Sequence, residues 1–147
     1  MFSTLPLAMP LEVAGVPVAR ISVSADNPCH DLFVRLCDVH PDGRSENVCD
    51  RVIRLDPERI SQLPAGFEVE DAGDGVRVAR LELWPVAHRF KAGHRLRVTI
   101  SGGAHPRYNR NPGTGEPMAT AQRLVPSVVS VHHDEQHRSV ITLPVLQ

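Results

Sequence analysis

The chain of 147 residues has few cysteines, few aromatic side chains and almost no net charge. Its three cysteines are odd in number, and none of them stands in a C-x-x-C pair. A small disulfide-stapled domain normally carries a denser and even set, so we expect three reduced thiols, as is typical of a cytoplasmic protein. A bridge between Cys37 and Cys49 across a hairpin is the alternative.

The net charge of −1 and the shortage of aromatic rings argue against nucleic acid and membranes as partners. Nucleic-acid binding needs excess positive charge and exposed rings for stacking, whereas the chain has one Trp, one Tyr and four Phe. The apolar segment 1–19 has no basic start and is interrupted by Pro6, Pro10, Glu12 and Pro17. It therefore predicts neither a signal peptide nor a membrane span.

Thirteen prolines and ten glycines, set against few helix-compatible windows, favour short strands joined by turns. The length suits one domain with a real core. We expect an all-β protein, a jelly-roll β-sandwich of eight or nine strands. At most one short helix is expected, within 56–65, where Asp56 and Pro57 offer a helix start and Pro64 a stop.

The clearest structural pattern is a hairpin over residues 31–55. Leu32, Val34 and Leu36 alternate with Phe33, Arg35 and Cys37, which is the period of a pleated strand. The sequence Pro41-Asp42-Gly43 supplies the turn, because proline presets φ and glycine accepts positive φ. We expect the face of Leu32, Val34 and Leu36 to point into the core.

Other strands follow from the same alternation. They are predicted at 5–13 and 16–24 around a turn at Gly15, at 76–83 after a reversal at 71–75, at 94–101, and as a final pair at 125–133 and 139–145. Changes of phase predict bulges near Ala19 and within 76–83. Residues 84–93 are interpreted as a connector that buries Trp84, and residues 104–123 as a long loop.

Candidate catalytic and metal sites are weak. No G-x-S-x-G elbow occurs, and Ser101 lacks the preceding glycine and the following helix, so it is interpreted as a turn residue. His132 and His133 would point to opposite faces of a strand, so together with nearby His137 they are interpreted as polar residues at a strand edge. No catalytic residue, cofactor or metal is predicted, although a structural calcium ion would leave no signal in the sequence.

Four separated segments resemble a single family in a single order. They are LCDVHPDGRS at 36–45, NVCD at 47–50, GHRLR at 93–97, and His105-Pro106-Arg107 through Asn111-Pro112-Gly113-Thr114-Gly115. The family is the C-terminal β-sandwich domain of Xaa-Pro dipeptidyl-peptidases and cocaine-esterase-like serine hydrolases, and the resemblance runs from residue 5 to 145. Arg51 departs from the pattern, because the family commonly has glycine after NVCD, and this bears on the local turn rather than on the fold.

The resemblance implies a galactose-binding-like jelly roll that is inert by itself. In this family the catalytic serine, aspartate and histidine lie in a preceding α/β-hydrolase domain, so none has a counterpart here. We therefore expect residues 1–147 to form one domain, with the catalytic domain absent from the chain. Its partner would be that hydrolase domain, on which it would pack and help frame the active-site entrance.

The resemblance also implies that polar groups lie where the sandwich meets the hydrolase domain. The candidate interface residues are Asp38, Asp42, Arg44, His94, Arg95, Arg97, Arg107 and Asn111. We further expect arginines 95, 97, 107 and 110 to pair with Asp38, Asp42, Asp50 or Glu82. An exposed docking face predicts self-association into a homo-oligomer.

A stand-alone carbohydrate- or protein-binding module is the alternative function. Sugars dock on aromatic faces backed by amides and carboxylates. Tyr108 and Trp84 are the only strong aromatic candidates, and Trp84 is expected to be buried. Sugar binding is therefore the less favoured hypothesis.

Overall fold

The computed structural model describes residues 1–146, and nearly all of its regular structure is β. Its one helical element is a single turn of 3₁₀ helix at Ile60–Gln62, inside the segment where a short helix was predicted. The strands are β1 (Phe2–Ser3), β2 (Leu11–Gly15), β3 (Val18–Ala25), β4 (His30–Val39), β5 (Ser45–Leu55), β6 (Phe67–Gly73), β7 (Val76–Glu82), β8 (Val86–Phe90), β9 (Arg95–Ser101), β10 (Val129–His132) and β11 (Val140–Thr142).

These strands form a sandwich of antiparallel sheets, so the all-β prediction is confirmed. One sheet has the order β1-β9-β4-β5, and the other has the order β10-β3-β7-β6 with β11 also paired to β3. A small sheet of β2 and β8 lies beside them. The strand count exceeds eight or nine because several elements, such as β1 and β11, are only two or three residues long. None of the helical structure in residues 1–146 has the length and apolar character needed to cross a membrane.

The predicted hairpin is the pair β4 and β5, and its inner face is confirmed. Leu32, Val34 and Leu36 are all at most 1% exposed. The opposite face is covered as well, since Phe33 and Cys37 are also buried. A register shift after Leu36 marks a bulge in the pairing with β5, which the alternation of β4 itself could not reveal.

The bulge predicted near Ala19 is wrong. Strand β3 pairs with β7 without any register shift from Val18 to Val23. Ala19, Ile21 and Val23 all face the core, and each is at most 2% exposed. The false phase change came from counting exposed Val16 and half-buried Val18 as inward residues.

The bulge predicted in 76–83 belongs to the neighbouring strand instead. Strand β7 pairs regularly, and the shift lies on β6 between Asp71 and Gly73. Val78 and Leu81 are on opposite faces of β7 and are both buried, so the strand has two apolar faces and no change of phase.

The connector interpretation of residues 84–93 is wrong in two respects. Residues 86–90 form strand β8, which pairs with β2. Trp84 is 53% exposed, whereas Leu83 is 1% and Phe90 is 0% exposed. Because Leu83 takes the core position at the end of β7, the next side chain points outward.

The two ends of the chain also differ from their predictions. Residues 4–10 are not in a strand, as Pro6 and Pro10 cannot donate to a β ladder. Strands β10 and β11 do not pair with each other. They lie end to end along one edge of β3, with β10 opposite residues 22–25 and β11 opposite residues 18–20.

Candidate functional site

A cluster of three imidazoles around one carboxylate lies at one end of the sandwich. We call it the histidine cluster, and it consists of Asp38, His40, His88 and His94. Asp38 continues the inward alternation of Leu36 near the end of β4, and His40 follows that strand. His88 lies on β8 and His94 precedes β9, so the cluster joins two sheets.

Asp38 holds two of these imidazoles. Its Oδ1 lies 2.8 Å from Nδ1 of His94, and its Oδ2 lies 3.0 Å from Nε2 of His88. A carboxylate can only accept hydrogen bonds, so both of these ring nitrogens donate. Asp38 is 3% exposed, and the two bonds satisfy a carboxylate that would otherwise be buried alone.

The electrostatics of Asp38 follow from this arrangement. Burial by itself would raise the pKa of the Asp38 carboxyl. The hydrogen bonds from His88 and His94 outweigh burial and lower that pKa below its usual value. Asp38 is therefore an anion at neutral pH.

The solvent side of the cluster is formed by the turn of the hairpin. Nε2 of His40 lies 3.3 Å from Oε2 of Glu46, and the His40 and His94 ring centroids are 4.4 Å apart. The Arg44 guanidinium lies 3.2 Å from Nδ1 of His40 and 3.3 Å from Glu46 Oε1. Asp42 accepts a 2.9 Å hydrogen bond from the backbone N–H of Arg44, which lowers the pKa of its carboxyl.

Four of the eight candidate interface residues, Asp38, Asp42, Arg44 and His94, thus lie together at this end. Arg95 and Arg97 lie further along β9 and do not pair with a carboxylate there. Arg95 donates to the carbonyl oxygen of Thr4 at 3.0 Å, and Arg97 donates to Oγ of Ser3 at 2.9 Å. They hold the N-terminal segment against β9, so the ion pairs predicted for these two arginines are not formed.

Arg107 binds the outer face of the hairpin from the long loop. Its guanidinium lies 3.0 Å from Oδ1 of buried Asp50, which confirms one predicted ion pair. Tyr108 donates to the same oxygen at 3.3 Å, and Arg35 lies 3.3 Å from Oδ2. The Tyr108 ring also packs on Phe33, at 6.0 Å between centroids.

Asn111 supplies a second anchor for the loop. Its amide donates to Oδ1 of Asp31 at 2.8 Å. Arg54 binds the two oxygens of the same carboxylate at 2.8 and 2.9 Å, a bidentate pair that raises the pKa of the guanidinium. Residues 104–128, which contain no strand, are therefore tied to the hairpin at two buried carboxylates.

Sequence reasoning did not select His40 or His88 as site residues. His40 stands two residues after Asp38. Its ring reaches His94 because strand β4 ends between these two residues, and the sequence pattern does not show this. His88 lies in a segment that was interpreted as a connector, and nothing in the local sequence indicates that β8 lies beside β4. The available signal was the number of histidines, eight, in a chain of 147 residues.

The other candidates have ordinary structural partners. Ser101 donates through Oγ to the carbonyl oxygen of Gly103, as a turn residue does. His132 lies 2.8 Å from Oγ of Ser24, and the His133 ring packs edge-on against Phe2. The three thiols are free.

The chain matches the family model described as the X-Pro dipeptidyl-peptidase C-terminal non-catalytic domain, over residues 1–142. It is similar to cocaine esterase of Rhodococcus sp. (strain MB1 Bresler), with 32% identity over 148 residues that cover 99% of this chain and 25% of the esterase. Among solved structures it is similar to an α-amino acid ester hydrolase, with a TM-score of 0.82 and 25% identity, covering 99% of this chain and 25% of the other.

An aminopeptidase from the marine sediment archaeon Thaumarchaeota archaeon is also similar, with a TM-score of 0.78, 25% identity, and coverage of 99% and 25%. The chain spans about a quarter of the length of these relatives. Since the family model covers nearly all of the sequence, the chain belongs to the family of non-catalytic C-terminal domains of X-Pro dipeptidyl-peptidases, which it shares with the cocaine-esterase type of hydrolase.

Proposed function

We propose that this chain is the β-sandwich that packs on an α/β-hydrolase domain and shapes the entrance to its active site. The observation that carries the proposal is the family match over residues 1–142. The similar hydrolases are about four times as long as this chain, so each contains room for a separate catalytic domain. The reaction of the assembled protein would be hydrolysis of an ester or amide through an acyl-enzyme.

We assign the docking contact to the long loop, which exposes several large apolar side chains. We call them the loop surface, which consists of Met118, Leu124, Val125 and Val128, which are 38% to 69% exposed. Large apolar side chains gathered in one segment favour contact with another protein. The hydrolase domain is the proposed occupant, because it makes up the length that the relatives have and this chain lacks.

The anchors of the loop support this assignment. Asp50 and Asp31 hold Arg107 and Asn111, so the first part of the loop is anchored to the hairpin without any partner. A preformed surface loses less conformational freedom on docking than a mobile one. In this proposal Arg107 and Asn111 are positioning residues for the docking face rather than the face itself.

Self-association of the isolated chain tests the surface. With the loop surface uncovered, sedimentation velocity is expected to show dimers or larger species that increase with concentration. The double variant Leu124→Asp/Val128→Asp should shift the chain to monomer, whereas Val16→Asp, at a 40% exposed site between β2 and β3, should not. A strictly monomeric wild-type chain at high concentration would count against the proposal.

Binding to a hydrolase domain tests the partner directly. The first three quarters of Rhodococcus cocaine esterase, produced without its C-terminal quarter, provides a related domain to mix with this chain. We expect a complex that the Leu124→Asp/Val128→Asp variant weakens and that Val16→Asp leaves unchanged. Equal binding by both variants would exclude the loop surface as the docking face.

Absence of catalysis is the second part of the proposal. The chain alone is expected to give no turnover of p-nitrophenyl esters or of a dipeptidyl-proline anilide above a heat-denatured control. Turnover that survives repurification would overturn the non-catalytic assignment.

Carbohydrate binding remains a second candidate because Trp84 is exposed. One face of its ring is covered by the Arg51 guanidinium, 4.5 Å from the centroid, which leaves the other for a sugar. Reproducible binding on a glycan array, lost in Trp84→Ala, would favour this function over docking.

A further inference from the structure

We propose that the histidine cluster binds one divalent transition-metal ion of the zinc type, with Asp38, His40 and His94 as ligands. One ligand atom from each of these residues lies within 4.8 Å of the others. Tetrahedral zinc has ligand bonds of about 2.0–2.2 Å, which places ligand atoms about 3.3–3.6 Å apart. An inward shift of His40, the most exposed of the three side chains, would create the site, together with a small separation of Asp38 Oδ1 and His94 Nδ1, which now lie 2.8 Å apart.

The chemistry of the donors favours such an ion over calcium or magnesium. Two imidazoles and one carboxylate suit zinc, cobalt, nickel and copper, whereas calcium and magnesium prefer oxygen ligands alone. Only three protein ligands converge, so a water molecule would complete the tetrahedron. Asp38 and His94 are 3% and 6% exposed, which keeps two of the ligands away from competing solvent.

Neighbouring residues already orient the ligands. Nε2 of His40 faces the Glu46 carboxylate at 3.3 Å, so a proton on Nε2 leaves the lone pair on Nδ1 for the metal. Histidine ligands commonly donate their second nitrogen to a carboxylate in this way. His88 similarly holds Oδ2 of Asp38 at 3.0 Å and leaves Oδ1 for the ion.

His94 requires one rearrangement. Its Nδ1 now donates to Asp38, so coordination through Nδ1 requires the proton to pass to Nε2 through solvent. The change of tautomer leaves the number of protons on the ring unchanged, and the bond to the metal replaces the hydrogen bond to Asp38. The carboxylate then binds the cation in place of the N–H group.

The charge around the site favours a cation, although one positively charged side chain of the protein competes with the ion for the same position. Carboxylates 38, 42 and 46 oppose the single guanidinium of Arg44. That guanidinium lies 3.2 Å from Nδ1 of His40, close to the position proposed for the ion. Its side chain is 62% exposed, so it can turn into solvent when a metal binds. Arg44 should therefore weaken metal affinity without abolishing it.

Titration of the metal-free chain with ZnCl₂ by calorimetry, together with Co²⁺ by visible absorption, tests the proposal. We expect one ion per chain and a d–d spectrum of tetrahedral Co²⁺. His40→Ala should lower affinity by at least about tenfold, and Arg44→Ala should raise it, because the competing donor is removed. His137→Ala, which changes a histidine outside the cluster, should bind as wild type does.

His40 is the informative position because its loss leaves the buried Asp38 pairs intact, so folding is not at risk. Circular dichroism of each variant verifies this. The proposal is overturned if no ion binds, if His40→Ala binds as tightly as wild type, or if His137→Ala loses as much affinity as His40→Ala. A drop in affinity for Arg44→Ala would also contradict the proposed geometry.

Discussion

The guanidinium of Arg51 lies over the ring of Trp84, 4.5 Å from its centroid. The same guanidinium lies 4.8 Å from the centroid of Phe67, so a residue in β5 joins side chains from two other segments. The sequence resemblance implies that Arg51 stands where the family commonly has glycine. Strand β5 continues through it without a turn, and the arginine makes aromatic contacts that glycine could not make.

Replacement of Arg51 by alanine should destabilise the chain modestly. Loss of cation–π contacts at an exposed site is expected to lower the free energy of unfolding by about 0.5–1 kcal/mol. Trp84 is the only tryptophan, so its fluorescence reports the change directly. Arg51→Lys keeps the charge without the planar stack and should give an intermediate spectrum; an unchanged spectrum in Arg51→Ala would contradict the contact.

Replacement of Asp50 by asparagine should loosen the long loop. Half-buried Arg35 would lose its charged partner, at a cost of about 1–3 kcal/mol, and Arg107 would lose its anchor on the hairpin. Limited trypsin digestion should then cleave the loop faster, at its own arginines. Asp134→Asn is the control, because Asp134 lies in an exposed turn remote in sequence from the loop anchors. Equal digestion rates in both variants would show that Asp50 does not hold the loop.

Acidification should destabilise the chain through His30. Burial lowers the pKa of this imidazole below its ordinary value of 6.5. The hydrogen bond to Asn27 opposes this shift, and the positive charge of Arg77 adds to it. The unfolded chain therefore binds more protons than the folded chain between the lowered pKa and 6.5. The stability that the neutral His30 contributes is fully present above pH 6.5, and it is lost as the pH falls from 6.5 through the lowered pKa.

Urea unfolding of wild type and His30→Gln across this pH range measures the effect. The other charged groups near His30 are Arg77, Asp31 and Asp26, and they are present in both proteins. The wild-type free energy of unfolding should fall more steeply on acidification than that of His30→Gln. Parallel pH profiles would contradict the prediction.

The three thiols should differ in reactivity. Burial raises the pKa of the Cys49 thiol to about 12, and Cys37 is also buried. Cys29 is partly exposed, although burial raises its pKa as well. Native labelling with a thiol reagent should reach Cys29 slowly and the others hardly at all, with all three labelled in denaturant. Cys29→Ser should abolish native labelling, and a single thiol in denaturant would indicate a Cys37–Cys49 bridge.

The sequence predicted the hairpin, the strand at 94–101 and the long loop, because alternation and turn residues are local signals. It failed where a strand has two apolar faces. In β7 the buried residues Val78 and Leu81 lie on opposite sides, and from sequence alone this pattern resembles a bulge. The exposure of Trp84 was missed for a related reason. Leu83 and Trp84 are both hydrophobic, and this character alone does not show which of the two takes the core position.

Half of the candidate interface residues lie together at one end of the sandwich, and their role at an interface stays a prediction. The pairing of Asp38 with His88 was beyond sequence reasoning, because it joins residues fifty positions apart through a strand that was not predicted. Their meeting depends on how the small sheet of β2 and β8 packs near the end of β4, which is a property of the tertiary structure rather than of periodicity.

Strand β3 has one edge bonded to β7 along its length, and two short strands, β10 and β11, divide the other edge between them. Removal of residues 129–146 would leave this edge of β3, which pairs at residues 18–20 and 22–25, open to another chain. Unpaired strand edges template intermolecular pairing. Strands β10 and β11 therefore cover this edge and oppose fibrillar assembly. A chain truncated before residue 129 is expected to precipitate under conditions where the full chain stays in solution.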